Sequence, residues 1–169
     1  MFKIYIALIY FTFFNLSAEV IKKIEVKGND RISAETIKVY GDINIGKDYS
    51  ALQINEVLKN LYGTDFFGDI KITLNNGVLS VLVKEYPIIN AVDLEGEKSN
   101  TIKKSVLEKL SLKSSESFIE NDMTQDVNLI KKIYGTIGFN FVNVEPKIEK
   151  FDDNRINLVY VLDKGKKTD

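Results

Sequence analysis

The sequence says the same thing twice. NLYGTDFFGDIKI begins at Asn60, and KIYGTIGFNFVNV begins at Lys132. The likeness extends in both directions. Ile21, Ile24, Val26 and Gly28 match Ile89, Val92, Leu94 and Gly96 at an offset of 68, and Glu25 matches Asp93. Leu61-Tyr62-Gly63-Thr64 matches Ile133-Tyr134-Gly135-Thr136 at an offset of 72, as Phe67, Ile70 and Ile72 match Phe139, Val142 and Val144. Leu79, Val81 and Val83 match Leu158, Tyr160 and Leu162 at 79. Three blocks in one order define two copies of a single supersecondary unit. The offset grows only in polar stretches, where insertions are tolerated.

Each copy has a local reading. Ile24 and Val26 alternate with polar residues, a strand with one buried face. Gly28-Asn29-Asp30 ends it as a turn. Ser33 is placed to cap a short helix through about Val39, stopped by Gly41. Ser50 and Gln53 form a capping box. Behind it Ile54, Val57, Leu58, Leu61 and Tyr62 share one helical face. Gly63 is expected to end this helix in a left-handed conformation. The period then switches to two: Ile70, Ile72 and Leu74 alternate with Asp69, Lys71 and Thr73. Asn75-Asn76-Gly77 is a hairpin signal, and Leu79, Val81 and Val83 return on the buried face.

The second copy repeats this order. Its first strand is expected from about Ile88 to Leu94. Asn100 is read as the cap of a helix presenting Ile102, Val106, Leu107 and Leu110. Asn121 is read as the cap of another presenting Met123, Val127, Ile130 and Tyr134, with Gly135 as its stop. A hairpin through Asp152-Asp153-Asn154 pairs Val142, Val144 and Ile148 with Ile156, Leu158, Tyr160 and Leu162. The fold class is therefore α+β: two tandem β-α-α-β-β units, each a three-stranded mixed sheet covered by two antiparallel helices. Both Tyr-Gly-Thr tyrosines, Tyr62 and Tyr134, are expected to pack under their sheets. The units divide at 19–87 and 88–167, joined through Tyr86-Pro87-Ile88. Pro87 fixes its own φ and biases Tyr86 to extended geometry, which predicts an arm with limited hinge motion. At about 70 residues a lone core is marginal, so contacts between neighbours matter to stability.

The first 18 residues read as a targeting signal rather than as fold. Lys3 precedes an apolar run from Ile4 to Phe14, interrupted only by Thr12. That run falls well short of the roughly 20 residues that cross a bilayer. Ala18 suits the residue before a cleavage point. The other reading is an uncleaved N-terminal anchor. With no Cys in the chain, disulfides and a lipoprotein signal are excluded. A net charge of −1 lacks the broad basic footprint of phosphate binding, so no nucleic-acid partner is expected. No second apolar run reaches membrane length.

The strand-then-glycine opening IEVKGN, the joint LYGTDFFGDI and the exits LSVLVKEYP and NRINLVYVLDKG resemble the polypeptide-transport-associated (POTRA) domain. The resemblance covers residues 20–167. One departure is Lys164-Gly165, where the family carries Glu-Gly. The resemblance implies a periplasmic protein-binding arm of an outer-membrane β-barrel assembly machine. Its partners would be unfolded outer-membrane proteins, a periplasmic chaperone and accessory lipoproteins of the assembly complex. Association with the outer membrane would follow if the full-length protein carries a barrel. Two alternatives stand beside it: a stand-alone or inner-membrane-anchored scaffold, and the arm of a two-partner secretion pore.

The element order itself places strand two of each unit on an edge, if strands one and three pair in parallel. An edge holds unpaired main-chain groups able to accept an extended chain with little regard to sequence. In the first unit this edge is Asp69, Ile70, Lys71, Ile72 and Thr73. In the second it includes Asn143 and Glu145, but Pro146 blunts it, because proline cannot donate. Asp69–Thr73 is thus the better candidate, against which stands Lys71 as a guard of the edge. Catalysis finds no support. With neither His nor Cys, triad and thiol chemistry are absent. Turn chemistry accounts for Asp65, Asp69, Asp152 and Asp153, and no cofactor or metal is expected.

Overall fold

The computed structural model describes residues 19–167. The expected targeting segment, residues 1–18, lies outside them. Twelve elements follow in order: β1 (Glu19–Val20), β2 (Lys23–Lys27), α1 (Ala34–Tyr40), β3 (Asp48–Tyr49), α2 (Ala51–Tyr62), β4 (Phe67–Asn75), β5 (Val78–Glu85), β6 (Ile88–Glu95), α3 (Asn100–Leu107), α4 (Glu120–Thr136), β7 (Asn143–Lys150) and β8 (Arg155–Asp163). The two main sheets have the orders β2-β5-β4 and β6-β8-β7. In each, strand three is central, parallel to strand one and antiparallel to strand two. Strand two is an edge in both.

Two separate cores result. Ile21, Ile37, Leu61, Phe67 and Leu79 anchor the first, and Ile89, Leu94, Ile130, Tyr134, Leu158 and Tyr160 the second. Each such aliphatic side chain contributes about 1.5–3 kcal/mol relative to exposure. Period two in the strands and 3.6 in the helices put these side chains on facing surfaces.

The local signals act at the expected places in the first unit. Ser33 accepts the Thr36 N–H at 3.1 Å and caps α1. Ser50 and Gln53 close their capping box at the start of α2. Asn76 and Gly77 both take positive φ in the β4–β5 turn. Four details differ. Gly63 is right-handed (φ −66°), and the left-handed residue lies two further on, at Asp65 (φ 56°). Ser99, not Asn100, caps α3. Helix α4 starts at Glu120 after Ile119, with no side-chain cap, so Asn121 already sits inside it. Gly135 does not stop α4, because the chain turns only at Gly138 (φ 95°). The sequence reading also lacked β1 and β3. This small ribbon runs beside Ile21, which exchanges main-chain bonds with Gly46 and Lys47.

A buried carboxylate ties each unit, by different chemistry. Glu85, at the end of β5, accepts the N–H groups of Asp30, Arg31 and Ile32 at 3.0, 3.1 and 2.8 Å. Its place in the repeat is taken in the second unit by Lys164. There the acid has moved to Glu97, which matches Asn29. Glu97 accepts from the Ser99 amide at 2.8 Å, the Tyr134 hydroxyl at 2.7 Å and Lys164 Nζ at 3.2 Å. The departure at Lys164-Gly165 is therefore a swap of sign, with exit strand and first turn still bonded. A further buried acid, Asp126 of α4, accepts from the amides of Ser111 and Leu112 and from the Tyr160 hydroxyl.

Candidate strand-docking edges

The phase of the main-chain hydrogen bonds decides which edge residues can meet another chain. Parallel strand β2 lies against β5, and a Cβ placed on Gly28 would sit 2.2 Å from the Val83 carbonyl oxygen. Val83 therefore directs its main chain at β2, as do Val81 and Leu79 by alternation. Their antiparallel partners Ile70, Ile72 and Leu74 then direct theirs away from β5, to the open edge. Asp69, Lys71 and Thr73 bond inward, opposite Lys84, Leu82 and Ser80, and their exposed side chains stand on the solvent face of the sheet.

The second unit has the same phase. A Cβ on Gly96 would lie 2.0 Å from the Leu162 carbonyl oxygen, so Leu162 faces β6. Its partner Val144, and with it Pro146, Ile148 and Lys150, present the open edge. Asn143 and Glu145 bond inward toward Asp163 and Val161 and offer only side chains. Pro146 thus occupies an outward position, where its missing N–H removes an edge donor without breaking the ladder.

Of the seven edge residues named from sequence, Ile70 and Ile72 direct their main-chain groups outward. Asp69, Lys71, Thr73, Asn143 and Glu145 flank the edge. Leu74, Val144, Ile148 and Lys150 were missed. Period two shows that main-chain direction alternates, but it does not show which alternate faces out.

The two repeat tyrosines part company here. Tyr134 is fully buried, as expected. Tyr62 is 43% exposed, and its hydroxyl accepts the Ile70 N–H at 3.0 Å. It does not pack under its sheet, because α2 ends at Tyr62 and leaves the ring beside the edge of β4.

The edges converge on the junction between units. Gly68 and Asp69 share a cleft of about 690 Å³ with Tyr86, Phe118, Ile148 and Phe151. The connecting residues are held on both sides. The Tyr86 N–H donates to Phe66 O at 2.9 Å, the Phe118 N–H to Pro87 O at 2.8 Å and the Ile88 N–H to Asn154 O at 3.0 Å. Among the described residues, no helix is long and apolar enough to cross a membrane.

A tandem of three-stranded mixed sheets with an open second strand, each backed by two helices, is the POTRA architecture. The POTRA family model, described as surface antigen variable number repeat, matches residues 87–165. The chain is 30% identical over 149 residues to the outer membrane protein assembly factor BamA of Neisseria meningitidis serogroup B, covering 86% of this chain and 19% of that protein. It is 22% identical over 162 residues to the BamA of Neorickettsia risticii, covering 95% of this chain and 22% of that protein. It therefore spans about a fifth of the length of these curated relatives. Among solved structures, the N-terminal domain of Omp85 from the thermophilic cyanobacterium Thermosynechococcus elongatus shares the fold, with a TM-score of 0.54 and 16% identity over 85% of this chain and 63% of that one. The second unit is a POTRA domain, and the chain folds as a tandem of two, resembling the N-terminal domains of BamA.

Proposed function

We propose that this chain is the periplasmic arm of an outer-membrane β-barrel assembly factor, and that it binds unfolded outer-membrane proteins by adding their strands to its open edges. Accessory proteins of such a complex would dock on the same arm. The observation that carries the reading is the row of outward main-chain groups at Ile72 and Leu74, beside the exposed side chains of Lys71 and Thr73. Main-chain recognition suits clients that share alternation but not sequence. Likeness to proteins named as assembly factors supports the same reading.

The test is a photo-crosslinking residue placed at Thr73 and, separately, at Glu35 on the far face. A synthetic peptide of alternating valine and threonine should be captured at Thr73 and not at Glu35. Equal capture at both sites, or none at Thr73, would overturn edge binding at β4.

A further inference from the structure

We propose that Tyr62 is a built-in occupant of the β4 edge and sets the register at which another strand can dock. The inference rests on the edge-binding reading above. The phenol oxygen accepts the N–H of Ile70, the first outward residue after the irregularity between Phe67 and Asp69. Of the three outward N–H groups in β4, one is thus already used. The remaining pair, at Ile72 and Leu74, lies in the half of the strand farther from the junction. An incoming strand pairs there. It can extend past Ile70 toward the junction cleft only by displacing the phenol.

The comparison inside the chain makes this specific. Tyr134 holds the same place in the repeat, yet it is fully buried and gives its hydroxyl to Glu97. The Tyr134 phenol is therefore not available to β7. That edge is limited instead at Pro146, the repeat equivalent of Leu74, which lacks the donor that Leu74 keeps open. The open donors of β7 on the far side of Pro146 are Ile148 and Lys150, toward the junction. The first unit thus closes its edge at the junction end with a side-chain hydroxyl, and the second interrupts its edge away from the junction with an imino acid. A ligand strand meets a defined start at Ile72 rather than a ladder on which it can slip by two residues.

The experiment is residue-resolved amide exchange on the chain and on Tyr62→Phe, with and without the valine–threonine peptide. In the unsubstituted chain, the peptide should slow exchange at Ile72 and Leu74 and leave Ile70, already bonded, unchanged. In Tyr62→Phe, Ile70 should exchange fast in the free protein and become peptide-protected. Affinity should rise about three- to tenfold, the effect of one added main-chain bond. Unchanged exchange at Leu79 and Val83 reports an intact fold. Leu74→Pro, copying Pro146, should weaken binding in both backgrounds. Identical affinity and an identical protection pattern in Tyr62→Phe, with Ile72 and Leu74 still protected, would overturn the role of Tyr62 alone. Absence of peptide protection at Ile72 and Leu74 in either protein would overturn the edge reading and this inference with it.

Discussion

Two pairs of repeat-related residues show how one position can carry different physics. Gly28 and Gly96 both sit at positive φ against a carbonyl oxygen of the central strand, where a Cβ would collide with main chain that cannot move aside. Gly63 and Gly135 share the Tyr-Gly-Thr motif but hold helical geometry, and a Cβ on Gly135 would meet nothing within 4 Å. Gly96→Ala should therefore destabilise the second unit by about 2 kcal/mol or more. Gly135→Ala should stabilise it by about 0.4–1 kcal/mol, because a glycine held in helical geometry in the last turn of α4 only adds freedom to the unfolded chain. Urea unfolding followed by second-unit exchange rates would separate the two. A destabilising Gly135→Ala would mean that the helix needs its glycine for a reason other than conformation.

At the scale of elements, the carboxylate ties explain why a reversal of charge leaves the unit intact. Burial pushes the Glu97 carboxyl up, but bonds from the Ser99 amide, the Tyr134 hydroxyl and Lys164 outweigh it and hold the group below the ordinary glutamate range. A depressed value in the fold means stability that is full above the unfolded value, near 4.5, and is lost as pH falls through the folded one. Glu97→Gln should cost the second unit about 1–3 kcal/mol at neutral pH and flatten its decline over the acid window just below pH 4.5. Urea midpoints at the two ends of that window check it; equal slopes in both proteins would assign the acid sensitivity to other carboxylates. At the alkaline end, burial and the neighbouring carboxylates hold the Tyr134 and Tyr160 phenols above their usual value of 10. Their contribution is full below pH 10 and lost above it. Much of the element order was legible in the sequence, because alternation, capping boxes and Asn-Gly turns act locally. Glu97–Lys164 was not, since its partners are 67 residues apart and only the folded turn joins them. Nor was β1–β3, whose two-residue strands carry no period. The edges themselves were legible from topology, but the outward set was fixed by hydrogen-bond phase, which no side-chain pattern records.

Over the whole molecule, what matters is whether the two units move as one body. Only Tyr86 and Pro87 lie between β5 and β6, and each residue from Tyr86 to Ile88 has a main-chain bond to a neighbouring segment: Tyr86 to Phe66 in the first unit, Pro87 and Ile88 to Phe118 and Asn154 in the second. The last bond into the first unit and the first into the second are thus separated by a single peptide link, Tyr86–Pro87. Rotation is confined there to the ψ of Tyr86, already biased to extended geometry, and to a φ locked by the ring. The Arg31 guanidinium beside buried Glu85, 3.6 Å away, lies on the same junction, along a cleft that it shares with Asp152 and Arg155. Its contribution is small and screened, because Arg31 is 41% exposed. Proline is therefore the main restraint, and Pro87→Gly should broaden the distribution of inter-unit distances while leaving each core unchanged. The absence of cysteine makes the measurement direct. Spin labels at Glu35→Cys and Lys104→Cys, one exposed site on each unit, report the distance by pulsed electron resonance. A distribution as narrow as that of the same labelled chain keeping Pro87 would show that the flanking main-chain bonds alone hold the arm. A broad one would place the hinge at one residue and leave the β4 and β7 edges free to change their relative direction around the junction cleft.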